Sequence, residues 1–263
     1  MTAILMLALV PLLMWIVQSI TLRAAGMPIR WRIDSKNAPA SIRNAGRITT
    51  QFSLVAVILL YPLSQSRSVR SYYTALIPGD HTVRHFAQGA AASVLCLCVL
   101  YLAWMMSNRV RVELHQSRRK WTKRLVMLIP TALFGAFVEE FIFRGIVMAD
   151  LQQSNLSRLA VLMLSAFIFA GAHYVRAVKR RWTFPGHLML GLVLCMAFAA
   201  TGNLWLAAGV HAGGILMIMG TRPFLRYDGP AWLTGASIFP FAGITGIAGL
   251  VVLASWVTRY YPS

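Results

Sequence analysis

The stretch Val138-Glu139-Glu140-Phe141-Ile142-Phe143-Arg144 decides how this chain is read, because two carboxylates and a guanidinium stand inside a long apolar run. On insertion scales, one charged residue at the centre of a membrane helix costs roughly 2.5–3.5 kcal/mol, and two adjacent ones cost more. Arg144 offers a partial offset. It lies four residues after Glu140, on the same helical face and in the favourable order for an ion pair. Glu139 points about 100° away around the helix. The spacing therefore predicts that Arg144 holds Glu140, while Glu139 faces the bundle interior as a candidate general base.

Composition places this run in a membrane. The 263 residues are 58% hydrophobic and 12% charged, with a mean hydropathy of +0.64, which a soluble domain would carry only by exposing large apolar patches. Eight spans are expected, near 3–22, 50–63, 86–106, 125–150, 156–175, 187–201, 203–220 and 237–257, the second and sixth of them short for a ~30 Å hydrocarbon core. The fold expected is all-α, a polytopic transmembrane helical bundle of about eight spans. It forms a single integral membrane domain over 1–263, with catalytic core helices at 125–220.

Charge sets the orientation. The formal net charge is +18, from 25 Lys and Arg against 7 Asp and Glu. The loops after spans one, three, five and seven carry 6, 7, 4 and 2 Lys or Arg, 19 in all, whereas the intervening loops and both ends carry 5. Cytoplasmic loops retain positive residues, so both termini are expected outside. The basic runs adjoin spans and lack a nucleic-acid motif, which points to anionic lipid headgroups as partners and not to nucleic acid. The first span reads as an uncleaved anchor. Cys96, Cys98 and Cys195 lie in apolar stretches without metal or disulfide spacing. The polar segment from Arg23 to Arg47, broken by Gly26, Pro28 and Pro39, reads as a connector, and Pro78-Gly79-Asp80 as a turn.

Two histidines lie well inside spans, His173 and His211, while His187 begins one. At ~1.5 Å per residue, Glu139, His173 and His211 lie roughly 16, 21 and 12 Å from the outer ends of their helices, so all three fall in about the middle third of the bilayer. A shared polar site explains this better than three separate packing residues. Gly171, Gly209, Gly213 and Gly214 surround the histidines and either let helices approach closely or leave space for a wet cavity.

Together, Glu139-Glu140-x-x-x-Arg144, then Phe169-x-x-x-His173, then a third helix carrying His211, resemble the three motifs of the CAAX-processing and bacteriocin-processing family of intramembrane proteases. The resemblance covers roughly Leu125 to Gly220. It implies an eight-helix bundle with a glutamate-activated water in a cavity within the membrane, and no metal or other cofactor. Glu139 would be the base working with His173, Glu140 and Arg144 would support it, Phe169 belongs to the second motif, and His211 would stabilise the oxyanion. The substrate partner would be a membrane-associated protein or peptide, in what we expect to be a bacterial inner (plasma) membrane. One position departs from the pattern. The third motif usually has Asn or Asp four residues after its histidine, where this chain has Ile215. Losing one oxyanion donor costs ~10²–10³ in turnover. Asn203, roughly 12 Å from His211 along the axis, is too far to replace it.

Three other readings use the same residues. Glu139, His173 and His211 could be ligands of a catalytic zinc, although H-E-x-x-H spacing is missing. A non-catalytic immunity or scaffold protein with a degenerate site would explain Ile215. A transporter would explain buried carboxylates, but no internal repeat is evident.

Overall fold

The computed structural model describes residues 2–29, 39–79, 82–113, 118–173 and 181–261. Apolar runs with no water to bond their backbone must satisfy it internally, which in a membrane leaves helices or closed barrels. This chain uses helices. They are α1 (Thr2–Ala24), α2 (Ala40–Ser64), α3 (Val69–Leu76), α4 (Thr82–Met106), α5 (Arg118–Glu140), α6 (Ala149–Gln152), α7 (Arg158–Ala172), α8 (Phe184–Thr201), α9 (Trp205–Thr221), α10 (Ala231–Thr234) and α11 (Ile244–Tyr260). A π-helical segment, Phe141–Met148, joins α5 to α6 without a break. Among the described residues, five helical stretches are long and apolar enough to cross a membrane: α1, α2, α4, Arg119–Gln152 and α8. The shorter apolar helices α7, α9 and α11 occupy the places of the other three expected spans.

Several limits differ from expectation. The second span is a helix of 25 residues, not a short one, because it begins at Ala40, directly after Pro39. Hydropathy alone misses its polar first turns; Ile42 there is 2% exposed and packs with Leu22 at the end of α1. The sixth span begins at Phe184 and has 18 residues. The eighth begins at Ile244, because Pro240 starts a separate 3₁₀ turn and Gly235 adopts φ +71°. Asp80 of the expected turn, and residues 30–38 of the first connector, lie outside the described residues.

The helices run alternately between two ends. At one end, the backbone N–H of Leu204 donates to Leu76, Trp205 Nε1 donates to Pro78, and the N–H of Ala3 donates to the Asp150 carboxylate. At the other end, β1 (Val110–Val112) pairs antiparallel with β2 (Leu225–Tyr227), with Arg111 opposite Arg226. Each contact joins segments that the charge count assigns to the same side.

The centre of the bundle is α8 and α9. Val193, Leu194, Cys195 and Ala197 on α8, and Leu206, Ala207, Ala208 and Ala212 on α9, have no exposed surface. The outermost helix, α1, turns Leu5 and Ile20 outward at 68% and 64% exposure. Glycine sets the closest contact. A Cβ on Gly209 would stand 2.2 Å from the Phe86 carbonyl oxygen, one on Gly89 2.4 Å from that of Leu206, and one on Gly213 2.7 Å from that of Ala90. Small residues four apart let the backbones of α4 and α9 touch, the recurring packing solution between membrane helices. That contact fixes the height of His211, midway between Gly209 and Gly213.

Candidate active site

The site grows from the junction of α5 with the π segment. Glu140 ends α5 with no exposed surface, and Arg144, one turn on, is equally buried. Their pairing is the one the spacing predicts: Arg144 Nη1 donates to Glu140 Oε1 at 3.2 Å. Arg144 Nη2 donates to the Gly191 carbonyl on α8 at 3.0 Å. Its guanidinium carbon also sits 4.7 Å from the centre of the Phe169 ring, a geometry in which the ring face attracts the cation. A desolvated guanidinium is tolerated only with such partners.

The π segment helps to seat this pair. A π turn departs from the α-helical i→i−4 pattern, and such turns recur at functional sites. Two of its carbonyls accept side-chain bonds from neighbours: Phe143 from Ser165 Oγ at 3.3 Å, and Gly145 from the Tyr72 hydroxyl. Tyr72 belongs to α3, so that short helix braces the segment carrying Arg144.

Glu139 lies on a different face. Its side chain is 34% exposed, against 0% for Glu140. Oε2 of Glu139 lies 3.7 Å from His173 Nε2 and 3.7 Å from His211 Nε2. Both gaps exceed hydrogen-bond length and match an oxygen and two nitrogens facing one small space.

Each histidine has its other nitrogen engaged. His173 caps the C-terminus of α7, and its Nδ1–H donates to the Phe169 carbonyl at 2.7 Å. His211 Nδ1–H donates to Glu140 Oε1 at 2.8 Å. Because a carbonyl only accepts, the bond to Phe169 fixes the tautomer of His173 and leaves its Nε2 lone pair toward Glu139. Phe169, fully buried, lies beneath the group: its ring centre is 4.6 Å from that of His173, 6.1 Å from that of His211 and 5.1 Å from that of Phe143.

All six residues singled out in the sequence meet here: Glu139, Glu140, Arg144, Phe169, His173 and His211. The division between the glutamates is the expected one, with one refinement. His211 also engages Glu140: its Nδ1 bonds that carboxylate while its Nε2 faces Glu139 across 3.7 Å. Asn203 is remote from this role, since its side chain bonds Thr201 and the Trp205 backbone N–H at the start of α9.

Two participants were not legible. His187, 3% exposed on α8, has its ring centre 4.9 Å from that of His173 and its Nδ1–H on the Thr183 carbonyl. Gly191 receives Arg144 through a carbonyl, which no residue pattern announces. A second imidazole fourteen residues before the end of α8 could have suggested the first; nothing in its spacing tied it to His173.

The glycines divide. Gly209 and Gly213 are packing residues, whereas a Cβ on Gly171, on Gly214 or on Gly135 would meet nothing within 4 Å. Gly135 lies one turn before Glu139, Gly171 two residues before His173, and Gly214 three residues after His211. Unfilled space thus borders the catalytic candidates on three helices. Among the described residues, no group of three His, Cys, Asp or Glu side chains is disposed to hold a metal ion.

Residues 121–217 match the family described as type II CAAX prenyl endopeptidase Rce1-like. The motif-bearing segment is thus similar to that family over somewhat more than a third of the chain. It runs from the first turn of α5 to near the end of α9 and contains every residue of the site. No curated protein and no solved structure matches the chain. The Rce1-like match supports a CAAX-type intramembrane endopeptidase and, with the five long apolar helices, an integral membrane protein.

Proposed function

We propose that the chain hydrolyses a peptide bond of a membrane-associated protein or peptide by a glutamate-activated water, with no metal in the mechanism. The observation that carries this is the convergence of Glu139 Oε2 with the Nε2 atoms of His173 and His211, each 3.7 Å away. A water placed there donates one hydrogen to Glu139 and the other to the His173 lone pair, leaving its own lone pair for the substrate carbonyl. As the C–O bond forms, Glu139 takes the proton. It then delivers that proton to the departing amine as the C–N bond breaks.

The tetrahedral oxyanion needs a donor, and among the described residues His211 Nε2 is placed to supply it. Because its Nδ1–H is committed to Glu140, a His211 that also donates from Nε2 carries both protons as the imidazolium. Glu140 thus has two tasks: it pairs with Arg144, and it orients the His211 ring through Nδ1. Phe169 fixes both histidines from below.

Ile215 favours a second reading, a site that binds a peptide without cleaving it. Glu139→Gln separates the two, since it keeps shape and removes the base. Hydrolysis requires that peptide termini released from cells, or from a reconstituted membrane substrate, fall by ~10²–10⁴ in this variant. A fully expressed Glu139→Gln protein with unchanged products would end the catalytic proposal. Loss of activity on chelation with recovery on adding zinc would replace it with the metalloprotease reading.

A further inference from the structure

Away from the site, a cleft of about 530 Å³ opens between the first turns of α4 and the last turn of α11. It is lined by Arg84, His85, Gln88, Trp256, Tyr260 and Tyr261. None of the six is acidic. The aromatic walls stand at steep angles: Trp256 and Tyr261 at 79° with ring centres 5.8 Å apart, and His85 and Tyr261 at 82° and 5.5 Å. The Tyr260 ring lies 6.2 Å from that of Trp256.

Polar groups at the same place are ordered. The Tyr261 hydroxyl donates to Gln88 Oε1, which leaves the Gln88 amide N–H groups as donors. Burial raises the Tyr261 phenol above its ordinary value, against the nearby positive charge of Arg84, so it remains a neutral donor. The cleft sits at the ends of two apolar helices, the depth at which Trp and Tyr meet headgroups.

An ordinary interfacial aromatic belt needs neither a concave shape nor a cation beside the rings. We infer that this cleft binds the headgroup of a zwitterionic phospholipid, with the phosphate on Arg84 and the Gln88 amide and the ammonium against the faces of Trp256, Tyr260 and Tyr261. Arg matches phosphate as a forked donor, and aromatic walls are the known receptor for organic ammonium. A soluble phosphoethanolamine would present the same two charges; the lipid is favoured because the cleft lies where a bilayer headgroup already sits. The inference does not depend on proteolysis.

The full chain, purified and exchanged into equal amounts of phosphatidylethanolamine and phosphatidylglycerol, would be examined by native mass spectrometry for retained lipid. Preferential retention of phosphatidylethanolamine is expected, falling ~2- to 30-fold in Arg84→Ala and in Tyr260→Ala. Arg84 is exposed and Tyr260 68% exposed, so neither change empties the core. Leu95→Ala, at a 65% exposed position elsewhere on α4, should retain lipid as the parent does. Equal retention of the two lipids, or unchanged retention in both variants, would overturn the inference. So would displacement of the lipid by micromolar phosphoethanolamine, which would make a soluble phosphoester the ligand.

Discussion

Glu140 and Glu139 are consecutive, yet the regions around them are built on opposite principles. Around Glu140 everything is filled: Arg144, the Gly191 carbonyl, the Phe169 ring and His211 Nδ1 leave the carboxylate with no exposed surface. Around Glu139 the neighbours stand off at 3.7 Å, and three nearby glycines border open space. The closed region places charge at fixed positions and the open region leaves room for a reacting group. The difference teaches that a catalytic candidate is recognised by what its neighbour lacks as much as by its own chemistry. Rigid support on one face of a helix is what lets the other face stay incompletely packed.

The comparison breaks most severely at Arg144. Arg144→Met keeps length and removes charge, leaving Glu140 buried with only His211 as a partner. A loss of about 3–5 kcal/mol in unfolding free energy is expected, as for other single-partner deletions from buried pairs. Denaturant titration in mixed micelles measures it. The companion Glu139→Gln should move the same transition by less than about 0.5 kcal/mol, because its side chain is already partly exposed. Equal losses in the two variants would erase the distinction between the regions.

A gain of function sharpens the open side. Ile215 lies one turn after His211, where a second oxyanion donor is expected by resemblance. Ile215→Asn should raise the rate of peptide release by up to ~10²-fold if His211 acts alone. An unchanged rate would place the second donor elsewhere.

The smallest effects differ in sign. Gly209→Ala must push Cβ into the Phe86 backbone at 2.2 Å, so α4 and α9 have to separate, costing about 1–3 kcal/mol. Gly214→Ala meets nothing within 4 Å and gains helix propensity, about 0.5–1 kcal/mol in favour of the folded state. Thermal midpoints of the two variants should therefore move in opposite directions. In the second, a rise in KM with kcat retained would show that the space beside His211 receives substrate.

Much of this was legible. Eight apolar stretches have eight helical counterparts, because a span must be apolar along its length and that property survives in one dimension. The pair of Glu140 with Arg144 was legible too, since four residues of helix bring them together without reference to another element. The Phe169–His173 contact has the same local origin. What escaped has a common cause. The half-polar stretch that begins α2, the brace from α3 and the β1–β2 pairing carry little hydropathic signal, the π segment is as apolar as an ordinary span, and each is set by what packs against it. His187 escaped because only the crossing of α7 and α8 brings it to His173.

By itself, the sequence determined that the chain lies in a membrane, that Glu140 is carried inside a span, and which glutamate the arginine takes. These follow from insertion cost and helical spacing, both local quantities. Tertiary structure alone decided that His211 bonds Glu140 while facing Glu139, that Gly209 and Gly213 close one interface while Gly171 and Gly214 leave another open, and that Arg144 finds a second acceptor on Gly191. The physical reason is that contacts between helices depend on their mutual height and rotation. Close backbone packing of α4 on α9 sets these for His211, and no spacing along one helix contains them.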